Sequence, residues 1–275
     1  MSLLSRSEGR WDGVMSLPLP RRRSVRFGSA ESEVYDVWDA ADQTGQRGGV
    51  TIVLIHGGLW QAAYDRAHLR PLGAALARNG WPVASVEYAR VGMPGGGWPG
   101  TGDSVLASLA AVAADPSMPD RLVAVGHSAG GQLAVWAASN GRCPAVRGVV
   151  SLAGVLDLRL ADTDDLGAGA VRSLLGGGPE QVPQWWTDAD PVAGRLGSPT
   201  VLLHGAQDDL VPAEVSASYL RSRGADDAAC RLEVVSGCDH FALIDPGHPA
   251  YRGVVAAIEE VAALATEDLR AGNPT

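Results

Sequence analysis

The sequence predicts an α/β fold: a doubly wound, mostly parallel sheet with a small cap insertion. Three observations predict it. Short β-branched apolar runs alternate with helical apolar spacing along most of the 275 residues, the pattern of βαβ units and a parallel sheet. One run, 122–125, leads into Gly126-His127-Ser128-Ala129-Gly130 and then directly into a helical pattern. That is the strand–turn–helix context in which G-x-S-x-G carries chemistry. Finally, Ser128, Asp208 and His240 each follow a predicted strand, at the sheet edge where open α/β sheets bind ligands.

The elements follow in order. Residues 1–24 mix Ser, Arg and Pro and read as a loosely ordered arm; one domain is expected over 25–270. Residues 33–38 alternate Val34, Tyr35, Val37 and Trp38 around charges, an edge strand. The polar, Gly-rich 40–49 is a turn. Residues 50–55 are a continuous β-branched run, a central buried strand. A helix is expected over 67–79, with Leu69, Leu72 and Leu76 on one face and Gly80 as its stop. A strand over 82–88 is followed by the Gly/Pro-rich loop 90–102, then an Ala-rich helix over 103–114 with Asp103 near its start. The strand at 122 leads through the elbow to a helix ending near 140, and 148–153 is another apolar strand. Residues 155–197 break the rhythm with an acidic patch, Gly176 to Gly178, and Trp185-Trp186; they read as the cap over the strand ends. The rhythm resumes with strands at 200–204 and 231–235 and helices at 213–223 and 249–265.

Composition excludes several functions. A net charge of −9 lacks the basic field of a nucleic-acid binder, and the run Arg21-Arg22-Arg23 reads as a solvated tail. All 22 basic residues are arginine, which excludes a Schiff-base lysine, a Walker-type lysine and a Ser-Lys dyad. Cys143, Cys230 and Cys238 are too few and scattered for a disulfide framework or zinc site, and free thiols suit a reducing cytosol. No signal-type or membrane-spanning apolar run is present. The expectation is therefore a cytoplasmic protein with no metal, no cofactor and no nucleic-acid or membrane partner. It would act on a small ester or amide, and a homodimer is the one assembly admitted.

The order Ser, Asp, His along the chain suits acyl transfer. Ser128 is the nucleophile, held clear of the backbone by the tight glycine-flanked turn. Serine at its free pKa is a poor nucleophile, so His240 takes its proton and later returns it to the leaving group. Asp208 holds the imidazole and stabilises its cation. Asp208 is preferred over Asp209 because it comes first in the turn, and Asp157 is read as a turn or cap carboxylate. His127, His204 and His56 are read as structural, His56 ordering its loop by hydrogen bonds; His68 is read as a surface helix residue, and His248, in a helix approach, is the rival to His240. The oxyanion donors expected are the N–H groups of Ala129, Gly58 and Leu59. Trp60 would wall the site, and Trp98 and either Trp185 or Trp186 would join it in an aromatic pocket.

On these residues the chain, from about 33 to 264, resembles the α/β-hydrolase family. His56-Gly57-Gly58-Leu59-Trp60 resembles the H-G-G-x-W motif of kynurenine formamidases (arylformamidases), which also marks small-ester hydrolases. The elbow is similar to that of hormone-sensitive-lipase-like esterases, which usually carry a third glycine where Leu59 stands. The turn His204-Gly205-Ala206-Gln207-Asp208 with Val211-Pro212 resembles the family's acid turn. The resemblance implies a serine hydrolase cleaving a small carboxylic ester or aryl-formamide through an acyl-enzyme. The alternatives are a small peptidase, whose prolyl-oligopeptidase-type relatives carry a propeller this chain has no room for, and a non-catalytic binding protein on a hydrolase scaffold.

Overall fold

The computed structural model describes residues 22–40, 49–223 and 230–271. Most of the expected N-terminal arm and of the turn at 40–49 lies outside them. The strands are β1 (Arg22–Arg26), β2 (Val34–Trp38), β3 (Thr51–Ile55), β4 (Val83–Val86), β5 (Leu122–His127), β6 (Val146–Leu152), β7 (Thr200–Gly205) and β8 (Cys230–Val235). They form one eight-stranded sheet in the order β1-β2-β4-β3-β5-β6-β7-β8. β1 and β2, and β2 and β4, pair antiparallel; every other pair is parallel. The fold is therefore the expected α/β class with a mostly parallel sheet.

Two expectations change. Arg22 to Ser24, assigned to the arm, belong to β1, which pairs with β2 over its whole length. β2 is consequently one strand in from the edge. Its charge, Asp36, is fully buried and accepts from the Arg22 guanidinium at 2.6 Å and the Ser24 hydroxyl at 2.6 Å.

The helices are α1 (Arg70–Arg78), α2 (Gly100–Ala113), α3 (Ala129–Ala138), α4 (Leu158–Thr163), α5 (Ala170–Leu175), α6 (Pro183–Asp188), α7 (Ala213–Ser222) and α8 (Tyr251–Ala271). A 3₁₀ turn, Arg66–Leu69, opens α1; Asp65 caps it by accepting from the Ala67 amide at 2.8 Å. Strand alternation divides the core into two layers. Val53, Ile55, Val86 and Ala124 face α2, α3 and α7 through Val105, Leu109, Leu133 and Tyr219. Ile52, Leu54, Val123, Val125 and Val150 face α1 and α8 through Leu72, Leu76, Val254 and Ile258. Helices on both faces leave the carboxyl ends of β3, β5, β7 and β8 open to loops, and the candidate site residues lie there. The short helices α4, α5 and α6 lie in the stretch 155–197 that the sequence reads as a cap. Asp188 ties them to α3 and the loop before α2: its Oδ2 accepts from Trp98 Nε1 at 2.9 Å, its Oδ1 from the Arg142 guanidinium at 2.8 Å, and its carbonyl from Trp136 Nε1 at 2.7 Å.

Candidate active site

Ser128 sits between β5 and α3 with φ 56° and ψ −120°. Such a backbone costs about 1–3 kcal/mol and persists only where its surroundings impose it. The surroundings are tight. A Cβ on Gly126 would lie 2.1 Å from the Gly130 carbonyl oxygen, and one on Gly130 would lie 2.0 Å from that of Ile55. Both flanking positions therefore require glycine. The Ser128 amide donates to the Leu152 carbonyl at 2.9 Å, fixing the turn to β6. The ten-residue α3 begins at Ala129, so its first amides point at the nucleophile.

The loop after β3 arrives beside the elbow. A Cβ on Gly57 would stand 2.9 Å from both Ser128 Cβ and the His127 carbonyl oxygen. Gly58, Leu59 and Trp60 all have positive φ, at 107°, 54° and 56°. His56 anchors this turn. Its Nδ1 lies 2.7 Å from the Gly57 carbonyl and its Nε2 2.7 Å from Glu87 Oε1, and its ring stacks on Tyr88 at 4.4 Å. Both ring nitrogens thus face oxygen acceptors. Burial alone would raise the Glu87 pKa, but the hydrogen bond from His56 and the fields of His56 and Arg90 bring it down to about 2.

The acid turn and the histidine loop meet at Asp208. His240 Nδ1 lies 2.7 Å from Asp208 Oδ2. Asp208 Oδ1 accepts from the amides of Leu210 at 3.0 Å and Val211 at 2.8 Å. Burial opposes ionisation of Asp208, yet the histidine and amide donors hold its carboxyl well below the usual carboxylate range. An ionised acceptor requires His240 Nδ1 to carry the proton, which leaves Nε2 as the basic nitrogen. Ser128 and His240 are 4% and 5% exposed. Asp209, the rival acid, is exposed, and it is Asp208 that meets His240. Asp157 caps α4 through the Leu160 amide and accepts from the Ser218 hydroxyl at 2.6 Å. His248 accepts from the Ala250 amide at the approach to α8.

His127 locks these loops together. Its Nε2 lies 2.9 Å from the His240 carbonyl and its Nδ1 3.2 Å from His68 Nε2. The carbonyl can only accept, so His127 Nε2 is the donor; in the neutral ring Nδ1 then accepts from His68. Burial, and then the neighbouring His240 and His68, push the His127 pKa well down. Burial, then His56 and His240, lower that of His68 to about 3. His68, half-buried, thus supports the elbow through His127 rather than standing free on the helix surface as expected.

The aromatic pocket is not formed as expected. Trp60 is 1% exposed, lies in the core and donates its indole N–H to Gln132 Oε1 at 3.0 Å. Trp98 is buried edge-on against Trp136 at 4.7 Å and bonded to Asp188. Both rings are packed by polar partners on α3 and the cap that sequence spacing does not show. Trp185 is half-buried against the same core, while its neighbour Trp186 lines a cap cavity of about 340 Å³ together with Asp157, Arg159 and Asp190. Local sequence pattern does not single out Glu87. Its signal is the β3–β4 register, which sets Ile55 opposite Val86 and hence His56 beside Glu87. Among the described residues, no group of three or more His, Cys, Asp or Glu side chains is placed to hold a metal ion, and no helix is long and apolar enough to cross a membrane.

The model of the BD-FAE family matches residues 36–222. Esterase LipC of Mycobacterium tuberculosis is 26% identical over 251 residues, covering 82% of this chain and 60% of that protein. Esterase LipQ of the same organism is 25% identical, covering 78% and 58%. The chain thus spans about 60% of the length of these curated relatives. Among solved structures, esterase B from Lactobacillus rhamnosis superposes with a TM-score of 0.79 at 19% identity, covering 98% of this chain and 94% of that one. Thermogutta terrifontis esterase 2 phosphonylated by sarin gives 0.70 at 19% identity, covering 89% and 95%. These structures share the fold.

Proposed function

Because the chain belongs to the BD-FAE family of α/β-hydrolase esterases, we propose that it is a serine hydrolase of small carboxylic esters, with Ser128, His240 and Asp208 as its triad. The observation that carries the reading is the 2.7 Å contact between His240 Nδ1 and a buried, ionised Asp208, on the same sheet edge as a serine held in a strained elbow. The names of the related esterases support ester cleavage.

Ser128 Oγ attacks the ester carbonyl carbon while His240 Nε2 takes its proton. The oxyanion forms against the amides of Ala129, Gly58 and Leu59. The tetrahedral intermediate collapses as His240 protonates the departing alcohol, leaving an acyl group on Ser128. Water, deprotonated by His240, then attacks the acyl carbonyl and releases the carboxylic acid. Asp208 stays ionised throughout and stabilises the imidazolium.

The test is covalent labelling and turnover on one preparation. A fluorophosphonate should add one mass increment on the Ser128 peptide. Ser128→Ala should abolish labelling and lower p-nitrophenyl acetate turnover by about five powers of ten, since the triad acts as a unit. Undiminished turnover by that variant would sink the mechanism. The motif His56-Gly57-Gly58-Leu59-Trp60 favours a second reading, an aryl-formamide substrate. Comparing kcat/KM for N-formylkynurenine with a p-nitrophenyl series from acetate to octanoate decides between them; a clear preference for the esters removes the formamide.

A further inference from the structure

We propose that His204, on β7, is a positioning residue of the triad: its Nε2–H is shared between the Val211 carbonyl and Asp208, so it fixes the turn that carries Asp208 and takes part of the carboxylate charge His240 would otherwise receive. This rests on the triad reading above. His204 is fully buried. Its Nε2 lies 2.8 Å from the Val211 carbonyl oxygen and 3.3 Å from Asp208 Oδ2. Both are acceptors, so Nε2 carries the hydrogen, aimed mainly at Val211 with Asp208 as its longer arm. Nδ1 lies 2.8 Å from Ser216 Oγ on α7. In the neutral ring Nδ1 is an acceptor, and the Ser216 hydroxyl donates to it.

Asp208 has a partner for each acceptor site. An ionised carboxylate offers about four lone-pair sites. Two amides, Leu210 and Val211, approach Oδ1; two histidines, His240 and His204, approach Oδ2. Val211 is bonded at both ends, its N–H to Asp208 and its C=O to His204. His204 therefore closes a ring through Val211 that leaves the acid one orientation. His204 also draws on the same oxygen as His240 and so moderates the imidazolium-stabilising field. The other titratable groups near the pair are Asp209 beside Asp208, Asp239 beside His240, and His127 on the elbow, its ring 4.7 Å from that of His240, with His68 behind it. The charge of Asp208 also reaches His127, which every variant keeps.

The experiment compares His204→Gln and His204→Leu in the full chain, following kcat and KM against pH with p-nitrophenyl acetate. Leu removes the N–H, whereas the Gln side-chain amide reaches where Nε2 stood. For His204→Leu, kcat should fall about tenfold with KM little changed, as the turn loosens. The acid limb of kcat/KM should move up by about half a pH unit, because the whole of Oδ2 now faces His240. His204→Gln should restore most of kcat and return the limb to its original pH. A limb that stays put or moves down, with or without a fall in kcat, would overturn the charge sharing. If His204→Leu does not fold, ¹⁵N shifts of His204 in the unmodified protein decide. Protonated Nε2 with unprotonated Nδ1 across the active pH range supports the proposal; the opposite tautomer overturns it. Ser128→Ala run alongside separates the two failures. A variant that stays active defeats the triad itself, whereas an inactive Ser128→Ala with an unmoved limb in His204→Leu defeats only the role of His204.

Discussion

Glu87→Gln separates the support of the proposed oxyanion loop from the proposed nucleophile. Glu87 is 2% exposed and meets only donors. Its Oε1 faces His56 Nε2 at 2.7 Å and the Tyr88 amide at 3.1 Å; its Oε2 faces the Arg66 amide at 3.2 Å and the Arg66 guanidinium at 3.4 Å. Glutamine keeps the shape but turns one oxygen into an NH₂, which must then point at donors whichever way it rotates. The native carboxylate titrates at about 2 rather than the ordinary 4.5, because the hydrogen bond from His56 and the fields of His56 and Arg90 outweigh its burial. At 1.36 kcal/mol per pH unit that gap is worth roughly 3 kcal/mol. The folded-state pKa is depressed, so this stability is present above 4.5 and is lost as pH falls from there toward 2. At neutral pH the variant should unfold about 3 kcal/mol more easily, a fall of roughly 6–12 °C in Tm for a chain of this size. Its kcat should drop more than tenfold with KM little altered, since the loop's proposed donors would act on the oxyanion rather than the ground-state substrate. Urea unfolding at a series of pH values and initial rates with p-nitrophenyl acetate measure both. A variant within about 0.5 kcal/mol of the wild type at neutral pH, or a stability gap that does not narrow below pH 4.5, would refute this account of the buried pair.

Two further substitutions test other parts of the frame. Asp208→Asn should lower kcat by about three to four powers of ten by removing the ionised partner of His240, whereas Asp209→Asn should change it by less than about threefold; steady-state rates decide, and equal losses would reassign the acid. Asp190 in the cap is raised from 3.8 to about 6, first by burial and then by Asp157. A raised folded-state pKa means its contribution is fully present below 3.8 and is lost as pH rises through 6. Asp190→Asn keeps an oxygen for the Val192 and Leu158 amides, so it should stabilise the protein by about 2–3 kcal/mol at pH 8 and barely at all at pH 4; chemical denaturation at the two pH values checks it.

Much of this frame is legible in the sequence where local signal and burial agree. β3, β5, β6 and β7 read as continuous apolar runs because both faces of a parallel sheet are covered. The elbow reads because its glycines are required by atoms within four residues or on the adjacent strand. β1 does not read: Arg22–Arg26 has one apolar residue, and its pairing leans on Asp36 of β2. That same pairing makes β2 an inner strand, which its charged alternation does not suggest. The tryptophans mislead for a related reason. An indole in a pocket and an indole in a core look alike in sequence, and what decides Trp60 and Trp98 is a hydrogen bond to Gln132 or Asp188 at least 72 residues away. His68 is misread likewise, since its partner His127 lies 59 positions on.

The supports share one physical character. Glu87, His204 and His127 are buried polar groups that donate or accept towards a loop carrying site chemistry, and each comes from a different strand or strand end. In a low-dielectric setting such groups are costly if unpaired and rigid if fully paired, so the loops after β3, β5, β7 and β8 are held before any substrate arrives. The frame therefore answers for the reaction and is silent about the acyl group. The segment read as a cap touches the proposed oxyanion loop where a Cβ on Gly167 would meet the Leu59 side chain at 2.8 Å. Leu59 contributes a backbone donor to the proposed oxyanion site and a side chain to the cap contact. A larger residue at position 167 would press on that side chain and shift the donor with it. On the proposed mechanism, Gly167→Ala should therefore lower kcat through Leu59 with KM little changed, and unaltered initial rates with p-nitrophenyl acetate would refute that coupling.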